Sequence, residues 1–199
     1  FSPFNKNERY AHPQMKVIAN RSLAVSYLPE TEEKLLALLG SKTRNMLKKA
    51  EQTGLTSREL VLPDYLPDFR DLYAETMSRN QAPGFFDYDD DYWNKLLGLG
   101  SKGLRCFGVF AGEKLVAASM AVVSEKAALY HLGASLTQCT KQGAGNLSLF
   151  AMSRSLMQSG AEFINMTGGR TTAENDSLLL FKKSNATALA TFYIGKRVI

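Results

Sequence analysis

Hydrophobic positions along this chain change period several times, and the changes mark its elements. Val17–Leu28 is expected to be extended and to close at the turn signal of Pro29. Thr31 is placed to cap a helix running to Leu39, with Glu32 and Glu33 in a first turn where the dipole favours carboxylates. Gly40 and Ser41 interrupt it. A second helix follows over Lys42–Thr53, because Met46, Leu47 and Ala50 recur at helical spacing and Gly54 suits a stop. Thr56–Leu62 reads as a short strand. Leu66–Arg79 reads as a helix through Phe69, Leu72, Tyr73, Thr76 and Met77, and Tyr92–Leu99 as another, ended by Gly100.

The period then shifts from helix to strand. Leu104–Phe110, Lys114–Val123 and Ala127–Gly133 are three successive strand-like runs, the first two joined as a hairpin at Ala111-Gly112-Glu113. Asn146–Ser159 is a helix after a glycine-rich turn, and Phe163–Met166 a short apolar strand. Ser177–Lys183 is a short helix and Ala188–Ile194 a last strand. Helices interleaved with a mostly antiparallel central sheet give a mixed α/β or α+β domain. Residues 1–16 show little periodicity and read as an arm or the edge of a preceding domain, leaving 17–199 as one domain.

Composition narrows the class without deciding it. With 199 residues, 45% apolar and 22% charged, the chain is neither disordered nor fibrous. Cys106 and Cys139 fit neither a disulfide framework nor a zinc spacing and are expected to be buried thiols. No apolar run is long enough to span a bilayer and no signal-peptide pattern opens the chain, so the expectation is a cytoplasmic protein without a membrane span. The net charge is +5, and Lys42, Arg44, Lys48, Lys49 and Arg58 against Glu51 supply most of it. That stretch is either a solvated helix face or a patch that meets phosphates. Asp87, Asp89, Asp90 and Asp91 lack the spacing of a calcium loop and are expected to open a helix at Asp90 or Asp91.

Four places could carry chemistry. Gly143 and Gly145, in Thr140-Lys141-Gln142-Gly143-Ala144-Gly145-Asn146, precede a helix and read either as a tight turn or as an anion cradle at its N-terminus. The segment matches neither a Walker A loop nor a dinucleotide fingerprint. Gly168 and Gly169 end a strand, where they permit a turn or the close approach of a ligand. Lys182 follows Leu178-Leu179-Leu180-Phe181 and either snorkels or enters a partly desolvated site, where it would stabilise negative charge developing on a carbonyl or phosphate. With only His12 and His131 in the chain, no metal site is expected, and His131 lacks the nucleophile elbow that a serine triad needs.

Taken together, these segments resemble the GNAT superfamily, and within it the FemAB-like aminoacyltransferases and their acyltransferase relatives. Lys42-Thr43-Arg44-Asn45-Met46-Leu47-Lys48-Lys49-Ala50 resembles the family's basic helix, and Tyr73 with Thr76-Met77-Ser78-Arg79 its tyrosine-to-arginine motif. Thr167-Gly168-Gly169 resembles its glycine-ended strand, and Asp176-Ser177-Leu178 with Phe181-Lys182 its lysine turn. The resemblance implies a mostly antiparallel sheet flanked by helices, with two central parallel strands splayed to admit a donor. It implies that the chain is a single-domain relative or the C-terminal half of a tandem chain. Lys182 would stabilise the reacting carbonyl, Arg79 would hold acceptor phosphates with Arg44 and Lys42 as further candidates, and Gly143 and Gly145 would fall on the pyrophosphate loop. Thr140 stands where that loop carries Gln or Arg, and Asn185 where an aromatic often follows the lysine.

The expected activity is N-acyl transfer to an amine acceptor such as a cell-wall or polysaccharide precursor. The co-substrate would be acyl-CoA or an aminoacyl-tRNA, with no permanently bound cofactor. Partners would be a phosphate-bearing donor, an amine acceptor and, for the aminoacyl branch, tRNA; Asp176 is the candidate for deprotonating the amine. The alternative is a non-catalytic domain of this fold that binds anions or acts as a scaffold.

Overall fold

A computed structural model describes residues 3, 4, 7–82 and 84–197. The strands are β1 (Met15–Tyr27), β2 (Leu55–Leu60), β3 (Leu104–Ala111), β4 (Lys114–Ser124), β5 (Ala127–Ser135), β6 (Phe163–Thr167) and β7 (Ala188–Arg197). The helices are α1 (Glu32–Leu38), α2 (Ser41–Gln52), α3 (Leu62–Arg79), α4 (Asp90–Leu97), α5 (Gly100–Gly103), α6 (Ala144–Gln158) and α7 (Ser177–Ser184). Sequence patterning anticipates most of them, with differences at several boundaries. Two residues of the expected arm, Met15 and Lys16, already belong to β1, while the arm's remaining reading lies partly outside the described residues. Helix α3 begins at Leu62 instead of Leu66, since Pro63 sits in the first turn, where its missing N–H is not needed. Gly100 does not end the helical segment; at φ +63° it turns the chain into the short α5.

Capping residues account for several of these boundaries. The Thr31 hydroxyl accepts from the Lys34 N–H to start α1, and the Asp89 carboxylate accepts from the Tyr92 N–H to start α4. Asp90 and Asp91 fall in the first turn of α4, as the acidic run suggests.

All seven strands form one sheet in the order β2-β3-β4-β5-β6-β1-β7. Every neighbouring pair is antiparallel except β5 and β6. Helices α3 and α4 cover one face, where Phe69, Leu72, Tyr73, Trp93 and Leu96 pack on Leu104, Cys106, Met120 and Leu132. Helices α2 and α6 cover the other: Leu149, Met152 and Leu156 meet Phe107 and Ile164, and Leu47 and Ala50 meet Val109 and Ala117. Both cysteines are free and buried. Among the described residues, no helix is long and apolar enough to cross a membrane and no His/Cys/Asp/Glu group could hold a metal ion.

Candidate active site

The parallel pair opens almost as soon as it forms. Ala127, Ala128 and Leu129 pair with Phe163, Ile164 and Asn165, and there the ladder stops, although β5 continues to Ser135 and β6 to Thr167. Backbone groups beyond that point face each other across a gap between the two strands. A bulge sharpens the departure: Met120 pairs with Leu132 and Ala121 with Tyr130, leaving His131 as the extra residue on β5.

Lys182 reaches this gap from α7. Its side chain is buried, and its Nζ donates to Thr167 Oγ1 at 2.6 Å and to the Gly168 carbonyl at 2.9 Å. The Tyr130 ring lies 5.5 Å from the ammonium, within cation–π range. Burial pushes the lysine down to about 8, and the Asp176 carboxylate only partly opposes it. An ammonium has three donors, and only two find partners among the described residues. Tyr130 itself needs Gly133, because a Cβ there would lie 1.8 Å from the phenol oxygen.

Asp176, the sequence's candidate for the proton acceptor, is tied into the start of α7. It is the N-cap of α7, accepting from the N–H groups of Leu178 and Leu179 at 2.9 and 3.0 Å, and from the N–H and hydroxyl of Thr171. Burial alone would raise its pKa, but N–H donors from Leu179, Thr171 and Arg170 hold it at about 2. So acidic a carboxyl is a poor acceptor for an ammonium's proton; its role here is to fix the helix that carries Lys182. Gly169 is small for the same reason, since a Cβ would stand 2.4 Å from Asp176 Oδ1. Asp176→Ala is expected to cost about 1–2 kcal/mol, read from chemical denaturation at pH 7. Because the folded pKa is depressed, the wild-type advantage is complete above the unfolded value of 3.8 and disappears as pH falls through about 2.

Arg79 lies at the same end of the sheet, but its guanidinium is committed to β5. It donates to the Ser135 carbonyl at 2.7 Å, to Thr137 Oγ1 at 3.0 Å and to Ser135 Oγ at 3.3 Å. Thr76 adds a buried hydroxyl bridge to the same backbone. The side chain that spans the two faces is instead Arg170, which donates to the Asn80 carbonyl after α3 and to Ser177 Oγ in α7. On α2, Arg44 donates back to the Leu39 carbonyl, whereas Lys42 is exposed. Its neighbour Thr43 is buried and donates to the Ser184 carbonyl at the end of α7.

Gly143 and Gly145 are both packed against helices. Gly143 has φ +85°, and a Cβ there would come within 2.3 Å of the Met46 carbonyl of α2. Gly145 faces the Phe181 ring of α7. Gly168 lies against the Arg21 side chain, a cation of β1 that no motif points to. Thr167, whose φ is +64°, enters the sequence reading only as the residue before the glycine pair, and Tyr130 carries no signal beyond its strand.

A mixed sheet flanked by helices that opens at its one parallel pair is the architecture of the acetyltransferase (GNAT) fold. Residues 41–174 match the acetyltransferase (GNAT) domain family, and the chain belongs to that family. Among solved structures it is similar to FemX, with a TM-score of 0.72 at 14% identity, covering 90% of this chain and 61% of that one. It is also similar to L-PGS from Bacillus licheniformis, with a TM-score of 0.64 at 14% identity, covering 96% of this chain and 63% of that one. An aminoglycoside acetyltransferase from an uncultured soil metagenomic sample superposes with a TM-score of 0.51 at 21% identity, covering 67% of this chain and 89% of that one. The chain thus spans about three fifths of the FemX and L-PGS chains it matches. No curated protein matches its sequence.

Proposed function

We propose that this chain is an N-acyltransferase, in which an acceptor amine attacks the activated carbonyl of a donor lodged between β5 and β6. The observation that carries the reading is Lys182. An ammonium enclosed at the mouth of the gap, anchored by Thr167 and Gly168 and retaining a third donor, is placed to meet an oxyanion as it forms. Preorganisation is the point: Thr167, Gly168 and the Tyr130 ring hold the charge in position before substrate arrives.

Family membership favours an acyl-CoA thioester over an aminoacyl-tRNA as the donor. Lys42, exposed beside the contact of α2 with α7, is the candidate for its phosphates, while Arg79 and Arg44 serve the fold through the carbonyls they bind. For the acceptor we favour an amine on a cell-wall or polysaccharide precursor. The aminoglycoside acetyltransferase of similar fold has been seen with the amino-sugar drug sisomicin, which makes amino sugars a reasonable first panel. The domain would then act alone or as the C-terminal half of a tandem chain.

The test is direct. Purified chain incubated with acetyl-CoA and glucosamine should release free thiol in an amine-dependent manner and yield product one acetyl group heavier by mass spectrometry. Absence of amine-dependent release across a panel of acyl thioesters and amino sugars would leave the non-catalytic, anion-binding reading in its place.

A further inference from the structure

With Asp176 tied up as a helix cap, the amine still needs a proton acceptor, and the other rim of the gap carries one. His131 is the bulged residue of β5. It lies two residues past Leu129, where the parallel ladder ends, and next to Tyr130, whose ring is 5.5 Å from the Lys182 ammonium. The two groups approach from opposite faces. Lys182 comes from α7, on the α6 side, whereas the His131 ring meets α4: its Nε2 and the Tyr92 hydroxyl are 2.6 Å apart. Tyr92 is fixed in turn by a close ring stack with Tyr88, centroids 3.8 Å apart, and an edge contact with Trp93. Tyr88, Tyr92 and His131 are all half-buried, so this assembly borders solvent without dissolving into it.

We propose that His131, oriented by Tyr92, is the catalytic base that takes a proton from the acceptor's ammonium as it enters the gap from the α3/α4 face. This rests on the acyl-transfer reading above. One N–H proton of R–NH3+ passes to the imidazole, directly or with the Tyr92 hydroxyl relaying it, and leaves a lone pair on nitrogen. That pair forms the N–C bond to the acyl carbon while the carbonyl π pair moves onto oxygen beside Lys182. When the oxyanion collapses, the bond to the donor's leaving sulfur or oxygen breaks and its electron pair departs with it. The leaving group takes the second nitrogen proton, so an amide, a neutral leaving group and a protonated His131 remain.

The electrostatic setting suits the role. Burial lowers the His131 pKa from 6.5, so the ring is neutral at pH 7. The titratable group in contact with it is a phenol, Tyr92 from α4, on which Tyr88 from the preceding segment stacks in turn. Tyr73, Tyr92 and Tyr130 are all pushed up by burial and stay protonated. Lys182 is the cation over the ring of Tyr130, the residue before His131 on β5. Exposed Asp87, Asp89 and Asp90 lie on the outer side of the Tyr88 segment.

The experiment compares two amines with acetyl-CoA as donor. Ethanolamine is almost wholly protonated at pH 7 and needs a base, whereas hydroxylamine is already neutral. His131→Gln should slow transfer to ethanolamine about 100-fold and leave transfer to hydroxylamine within about threefold. With the base gone, ethanolamine must react from its small neutral fraction, so the acidic limb of its pH profile, which in the wild type falls below pH 6.5, should move up toward the amine's own, more basic range. Tyr92→Phe should shift that limb while sparing hydroxylamine. With only two histidines in the chain, NMR titration reports the His131 pKa independently of turnover. Equal loss with both amines, or an ethanolamine limb that does not move in His131→Gln, overturns the assignment while acyl transfer stands. A wild type inactive with both amines, yet titrating normally by NMR, overturns the acyl-transfer reading and the base with it.

Discussion

Lys182→Met should lose about 100- to 1,000-fold in turnover with acetyl-CoA and an amine, while its melting temperature at pH 7 changes little. The activity figure is the usual consequence of removing one preorganised donor to an oxyanion. The stability figure comes from what the lysine gives up to be there. Its pKa falls from 10.5 in the unfolded chain to about 8, a difference worth about 3 kcal/mol against the charged form at neutral pH. Methionine has nearly the same length and no charge to bury. Against that gain stand Thr167 Oγ1 and the Gly168 carbonyl, which lose a donor at about 1–3 kcal/mol for each group left unsatisfied. The terms nearly cancel, so the fold should survive where the chemistry does not. The pH dependence has a fixed sign. A depressed lysine pKa makes the wild type gain stability as pH rises from about 8 to 10.5, whereas Lys182→Met has no such gain. Turnover should fall over the same range, as the ammonium deprotonates. Undiminished turnover in Lys182→Met would remove the mechanism; a collapse in melting temperature would reassign the lysine to structure.

What the sequence discloses and what it hides divide along contact range. The cap of α4 at Asp89, the apolar stripe of α3 through Phe69, Leu72, Tyr73 and Thr76, and the α7 turn ending in Lys182 are local patterns, and each is legible within one or two helical turns. Arg79 is different. Its motif is visible, but its partners are backbone and hydroxyl oxygens at Ser135 and Thr137, more than fifty residues away, and no spacing rule reveals that a guanidinium is already taken. Asp176 misleads for a related reason: a carboxylate before a lysine helix looks chemical until its four donors are seen. His131 is hidden by the bulge, since strict alternation along β5 cannot register an extra residue. Thr56–Leu62 overshoots because Leu60-Val61-Leu62 stays apolar across the strand end, and only Pro63 marks the start of a helix. The gap itself is a property of the β5–β6 pairing, and pairing is written in no single segment.

Gly143 offers the sharpest test between the two readings of the glycine-rich turn. Gly143→Ala should destabilise the fold by roughly 2–5 kcal/mol, combining the penalty of a left-handed backbone with that of an overfilled contact. The contact cannot relax cheaply. A new Cβ would stand 2.3 Å from the Met46 carbonyl oxygen and 3.0 Å from its carbon, and both are backbone atoms in the middle of α2. That helix is held by Thr43 on the Ser184 carbonyl and by Leu47 and Ala50 in the core with Val109, Ala117 and Leu147. Alanine must therefore push α2 outward or unwind the turn that leads into α6. For a chain of this size the melting temperature should drop by roughly 5–20 °C. Gly112→Ala is the control, because φ there is +59° and nothing lies within 4 Å of the added carbon. It carries the backbone penalty alone, about 1–2 kcal/mol. If Gly143 were instead needed for a donor pyrophosphate, Gly143→Ala would melt like Gly112→Ala and show its damage as a raised KM for acetyl-CoA. A deep loss of stability at 143 and a shallow one at 112 would make the glycine the seat of α2, and would leave the donor's phosphates to other groups around the gap.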